Sequence, residues 1–211
     1  DVDGIRYVTA RGWEDLSCLL SVYEEQGIAV TEDLIYEFLH HRDVAEDVAV
    51  YLELYRKYQE DYGIDDILAG RVRASVYARL LDAEFDERIS VVNLLLDGVQ
   101  NFMDRVARRH AKADACYAAA KQAKEEKSAD SDAVRAQFEV AKDALEEAED
   151  QAGQALDHAF DFMEDAFGSG EEMVVFVTEL TVSRETAAFL SENECEKYDS
   201  YHRELLIGTT K

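Results

Sequence analysis

The chain has 211 residues and a net charge of -25, from 47 acidic and 22 basic side chains. A field of that sign repels phosphate backbones and anionic headgroups, which argues against nucleic acid and membrane surfaces as partners. There is no proline and only ten glycines, so the sequence favours long unbroken helices.

Cys18, Cys116 and Cys195 are far apart and form no C-x-x-C pair. Neither a zinc site nor a disulfide framework is signalled, which suits a reducing cytoplasmic setting. No apolar run approaches the ~20 residues of a membrane span. The chain opens at Asp1 without an initiating Met, and the expectation is a piece of a longer protein.

The first region covers residues 1–85. After Thr9, the apolar residues Trp13, Leu16, Leu19, Leu20 and Tyr23 follow helical spacing up to Gly27. Thr31 suits the N-cap of a short helix with Leu34, Ile35, Phe38 and Leu39 on one face. Asp43 followed by Glu46 has the form of a capping box for a longer helix that Gly63 stops. Residues 64–68 make one more turn, and another helix follows Gly70.

The second region, residues 86–168, carries a heptad seam. Val134, Phe138, Ala141, Leu145, Ala148, Ala152, Ala155, Ala159 and Phe162 recur with alternating spacings of four and three. Before the polar run at 127–132, the residues Leu95, Val99, Phe102, Val106, Ala113, Cys116, Ala120 and Ala123 keep the same rhythm, with Arg109 as the polar interruption. The pattern predicts an antiparallel coiled-coil hairpin with arms of ~55–60 Å. Alanine dominates toward the tip, and large apolar residues such as Leu95, Leu156 and Phe160 sit at the base.

The third region, residues 169–211, is expected as short helices capping the hairpin base. Ser169 with Glu172 has the form of a second capping box, and Ser183 and Asn193 suit two further caps. The β-branched residues between 173 and 182 leave helix and strand both open there.

Chemistry-bearing motifs are scarce. Walker A, dinucleotide-binding, nucleophile-elbow, H-E-x-x-H and Ca²⁺-loop patterns are all missing. The adjacent His40 and His41 point about 100° apart on a helix and do not converge on a metal. Paired carboxylates follow from the acidic composition, so neither catalytic nor metal-binding residues are assigned. Arg105, Arg108, Arg109, His110 and Lys112 form a dense basic cluster. If the hairpin turns between Ala129 and Asp130, facing positions sum to about 259. Arg109 then meets Asp150 and Lys112 meets Glu147, as flanking coiled-coil charges do.

The segment Arg6-Tyr7-Val8-Thr9-Ala10-Arg11-Gly12-Trp13 resembles the start of the second half of the lid in MoxR-family AAA+ ATPases. There a Ser or Thr, usually a Pro, and an Arg lead into a helix. Ala10 departs from the Pro. Val30-Thr31-Glu32-Asp33-Leu34-Ile35 and the later His41-Arg42 resemble the family's last lid helix. The core resemblance covers residues 6–42, with a looser likeness through residues 44–47, 51–67 and 85–88. It implies that Arg11 is the sensor-2 residue reaching the ATP γ-phosphate, that Thr9 is its cap, and that Trp13 and Leu16 belong to the lid core.

The resulting expectation is an all-α protein: a small lid-like bundle, a long antiparallel coiled-coil hairpin and a short C-terminal helical cap. The resemblance implies the C-terminal, non-catalytic part of a chaperone-like AAA+ motor. ATP and Mg would be bound by an N-terminal core of the same protein, in a hexameric ring, with a client protein held through the hairpin. Alone, the chain is not expected to hydrolyse ATP. Two other readings stand beside it: a cytosolic coiled-coil adaptor with no nucleotide role, and a helical enzyme with a carboxylate metal site.

Overall fold

The computed structural model describes residues 7–126 and 130–208. Arg6, and Lys127, Ser128 and Ala129 of the expected turn, lie outside the described residues. Among those described there are ten α-helices and no strand. They fall into two compact units, Asp1–Asp61 and Tyr62–Lys211.

The first unit holds α1 (Ala10–Glu25), α2 (Glu32–Leu39) and most of α3 (Arg42–Tyr62). Leu16, Ile35, Leu39 and Ala45, one or two from each helix, form its buried core. The helix starts are set by side chains. Thr9 Oγ1 accepts from the Gly12 N–H at 3.0 Å, and Thr31 Oγ1 accepts from the Leu34 N–H at 3.3 Å.

The expected capping box at Asp43 is not used. The α3 helix begins two residues earlier than that cap would set it, at Arg42, and His41 Nδ1 lies 3.4 Å from the Val44 N–H as acceptor. His40 closes α2 in the left-handed region at φ 54°. The histidine pair therefore builds the sharp α2–α3 turn, one ring packed edge-on to Tyr36 and the other capping the next helix.

Trp13 does not join the core expected for it and is 43% exposed, whereas Leu16 is 1% exposed. The inward position one residue earlier belongs to Gly12, which is buried. A Cβ at Gly12 would sit 2.8 Å from the Phe38 carbonyl oxygen. Hydrogen at this position lets α1 lie directly on the end of α2, and the stripe from Gly12 through Leu16 turns Trp13 to the flank.

The second unit is organised by α6 (Phe85–Glu125) and α7 (Ser131–Phe167), the two arms of the predicted hairpin. At 1.5 Å per residue their 41 and 37 residues extend about 60 and 55 Å. All the heptad positions read from the sequence are buried or half-buried, with Arg109 the exposed exception. At the base, Val91, Val92, Leu95, Val99 and Met103 meet Leu156, Phe160 and Met163 in a core with almost no exposed surface.

Short helices close that base. The α4 helix (Ile64–Leu68) packs on both arms, and α5 (Ala74–Asp82) sets Tyr77 against Phe162 at a ring-centroid distance of 5.6 Å. Between them Gly70 turns at φ +73° directly against the His158 ring, whose Nδ1 lies 3.0 Å from the Leu68 carbonyl oxygen. A side chain at Gly70 would have to displace that imidazole.

The α8 helix (Glu171–Glu179) settles the region that the sequence left open between helix and strand. Its β-branched Thr178 returns a hydrogen bond of 2.7 Å to the Val174 carbonyl, satisfying the hydroxyl within the helix. The helix starts after Gly170 rather than Ser169, because Glu172 does not reach back as a capping partner. It turns inward to Arg88 of α6.

The α9 helix (Arg184–Glu192) is capped by Ser183 as expected. Asn193 closes that helix through Nδ2 to the Phe189 carbonyl and does not open the next. The α10 helix (Glu196–Gly208) begins instead from the Cys195 carbonyl, and its Tyr201 stacks on Phe160.

Gly12→Ala tests the packing in the first unit. Alanine favours a helix by about 1 kcal/mol over glycine, whereas forcing a methyl into a filled space costs about 1–3 kcal/mol. The expected outcome is a net loss of up to ~2 kcal/mol in denaturant unfolding, with the helical content of the folded state unchanged.

Candidate functional site

The Thr9 cap fixes where Arg11 stands. With the Trp13 N–H bonded to the Thr9 carbonyl at 3.2 Å, the helix is wound from its first residue and Arg11 lies in its first turn. The guanidinium is 87% exposed, and among the described residues its one ion pair is a 3.6 Å approach to the exposed Asp15. A pair of that kind contributes little and is readily exchanged for another anion. Arg11 is thus a charge held by no buried carboxylate among the described residues, on a helix whose start is fixed.

The histidines have structural partners. His110 lies 3.2 Å from Asp114, His158 closes the Gly70 turn and His202 stacks on Tyr198 at 5.2 Å. Among the described residues no cluster of three or more histidines, cysteines and carboxylates is arranged to hold a metal ion.

The basic cluster departs from its expected pairing. Arg105 donates to Gln151 at 3.3 Å, and the Tyr117 ring meets Phe138 at 5.5 Å. The numbers of these facing residues sum to 256 and 255, so the arms are offset by about one helical turn from the expected 259. Neither the Arg109–Asp150 nor the Lys112–Glu147 pair forms. Glu147 instead accepts from Gln151 at 3.1 Å. The cause is energetic. Exposed ion pairs contribute ~0.2–1 kcal/mol each, too little to oppose a seam of interlocking apolar residues along both arms.

The offset leaves a groove of about 520 Å³ on one side of the hairpin, with Arg109 and Lys112 on its rim. On another side, between α6 and α9, lies a hollow of about 340 Å³ with Asp114, Glu149 and Glu192 in its lining. No helix among the described residues is long and apolar enough to cross a membrane.

No protein-family model, curated protein or solved structure matches this chain.

Two polar clusters gave no signal in the sequence, because each joins residues from separate elements. Glu172, 5% exposed, meets Arg88 at 3.0 Å and ties α8 to α6. The Tyr62 hydroxyl donates to Glu87 at 2.7 Å, Arg79 reaches the same carboxylate at 2.8 Å, and the guanidinium lies over the Tyr62 ring. Burial, together with the neighbouring carboxylate of Glu87, pushes the Tyr62 hydroxyl well above its ordinary pKa. Burial also raises Tyr77, Tyr198 and Tyr201, aided by Asp165, Asp199 and Glu164 respectively. For Lys197 burial acts downward, but hydrogen bonds to Asp161 and Glu164 outweigh it and raise the ammonium.

All five groups hold their protons more tightly in the folded chain than in the unfolded one. The stability they contribute is complete below the ordinary pKa of ~10 and is lost as pH rises through the folded values. The urea midpoint of the second unit should therefore hold up to pH ~10 and fall as pH rises above it. Tyr62→Phe should flatten that slope, and a slope identical in the variant would exclude Tyr62 as a contributor.

Proposed function

We propose that this chain is the nucleotide-sensing lid and protruding arm of a MoxR-type AAA+ ATPase, with Arg11 as the residue that senses the γ-phosphate. The observation that carries the reading is the Thr9-capped start of α1, which presents an exposed Arg11 paired loosely with an exposed Asp15. A guanidinium stays charged and can grip two phosphate oxygens at once. Placed on a lid, it couples closure to the presence of the terminal phosphate.

In this proposal an N-terminal core of the same protein binds ATP and Mg, in a ring that is expected to be hexameric. The hairpin carries the contact with a client or partner protein. A cytoplasmic setting accords with three free cysteines. The rival reading, a coiled-coil adaptor with no nucleotide role, draws its support from the long hairpin and its open groove.

The test is Arg11→Ala in the full-length protein, comparing ATP turnover with melting temperature. Loss of a charge-assisted contact to phosphate is worth ~1.5–3 kcal/mol, or roughly ten- to a hundredfold in turnover. Arg11→Lys should restore part of it, because an ammonium cannot reproduce the two-pronged grip. Melting should barely change, since the side chain is exposed. Unaltered turnover with intact folding would favour the adaptor.

A further inference from the structure

We infer that the groove on the distal hairpin is a docking surface for an acidic amphipathic helix of a partner protein, with Arg109 and Lys112 gripping its carboxylates over an apolar floor. This inference stands independently of the nucleotide-sensing reading.

The groove is built only from α6 and α7. Arg109, Lys112 and Cys116 come from one arm, and Ala136, Gln137 and Val140 are among those from the other. Positions 109, 112 and 116 follow the i, i+3, i+7 spacing of one helix face, and 136 and 140 lie one turn apart. The floor is apolar and open, with Val140 69% exposed. A partner helix that lays an apolar ridge into such a trough is anchored at the same i, i+3, i+4 and i+7 spacings. The alanines of the floor leave room for the larger side chains of that ridge.

The charge on the rim selects the flanks of the partner helix. In a chain of net charge -25, Arg109 and Lys112, with Arg108 beside them, form no ion pair among the described residues. Glu147, on the facing arm, is engaged by Gln151, to which Arg105 donates in turn. On the facing arm two cations are matched within their own helix: Lys142 lies 2.7 Å from Glu146 and Arg135 lies 3.9 Å from Glu139. At physiological ionic strength charges are screened beyond about 8 Å. Local cations, and not the net charge, therefore decide what is held at the groove. A phosphate backbone would meet the same cations, but it has no apolar ridge to fill the floor.

The experiment uses the full chain carrying Cys18→Ser, so that Cys116 is the accessible thiol and Cys195 is buried. The probe is a labelled helical peptide of about 20 residues, some 30 Å long, with leucines along one face and glutamates flanking them. The controls are the same peptide with lysine at every glutamate and a single-stranded DNA oligonucleotide. Fluorescence anisotropy reports binding, and the alkylation rate of Cys116 reports where the probe sits.

The acidic peptide should bind and slow Cys116 alkylation several-fold, while both controls leave the thiol unprotected. Arg109→Glu with Lys112→Glu should weaken binding about tenfold or more, as should Val140→Asp in the floor. Lys121→Glu, half a helical turn around α6 from Lys112, should change neither signal. Circular dichroism should show the helical content preserved in each variant. Several results would overturn the inference: no binding of the acidic peptide, equal binding of the lysine peptide or the oligonucleotide, or binding indifferent to the double charge reversal. Cys116 protection that grows with protein concentration alone would overturn it too, by assigning the groove to a second copy of this chain.

Discussion

Small side chains at the hairpin seam let two helices of 41 and 37 residues lie close together, and the second unit is built on that approach. Ala141, Ala148, Ala152, Ala155 and Ala159 are buried on α7, and Ala113 is buried on α6. Alanine pays no side-chain entropy on ordering and has the highest helix propensity. Each therefore supports both its own helix and the contact between the two. The same seam fixes register. Once Tyr117 meets Phe138 and Arg105 meets Gln151, every side chain on the two arms has a set neighbour.

Register then distributes the charges. An offset of one turn separates the basic cluster from the acidic run it was expected to neutralise, and leaves Arg109 and Lys112 on the rim of an open groove. Toward the base, the arms widen their grip through Val91, Leu95, Met103, Phe160 and Met163, and the short helices close over them. Polar ties there are few and specific: Glu172 to Arg88, Glu87 shared by Tyr62 and Arg79, and Glu164 shared by Lys197 and Tyr201. The division of labour is physical. The base has the bulk to hold helices together, whereas the distal half has an exposed apolar floor and unmatched cations.

Much of this fold was legible because its signals are local. Thr9, Thr31 and Ser183 cap as their chemistry suggests, and Gly63 and Gly70 turn where the helical pattern breaks. The heptad spacing located the seam residue by residue. The misreadings share one cause, which is that the deciding partner lies elsewhere in the chain. Trp13 is turned outward because Gly12 meets the Phe38 carbonyl. Ser169 loses its cap because Glu172 is drawn to Arg88. The hairpin register was set from the turn and from charge pairing, when the apolar contacts along the whole seam determine it. At the candidate sites, the Thr9 cap ahead of Arg11 was legible in the residues, and the groove was not, since it exists only once the register is known.

Register is thus the quantity on which the groove, its free cations and the packing of the base all rest, and it can be measured by cross-linking. With Cys18→Ser as background, a cysteine introduced at Val140 should join Cys116 on mild oxidation or with a short bifunctional reagent, because both residues line the same groove. A cysteine at Asp143, the position that the 259 register would set opposite Cys116, should remain unlinked. Efficient linkage from position 143 and none from 140 would contradict the offset, and with it the groove.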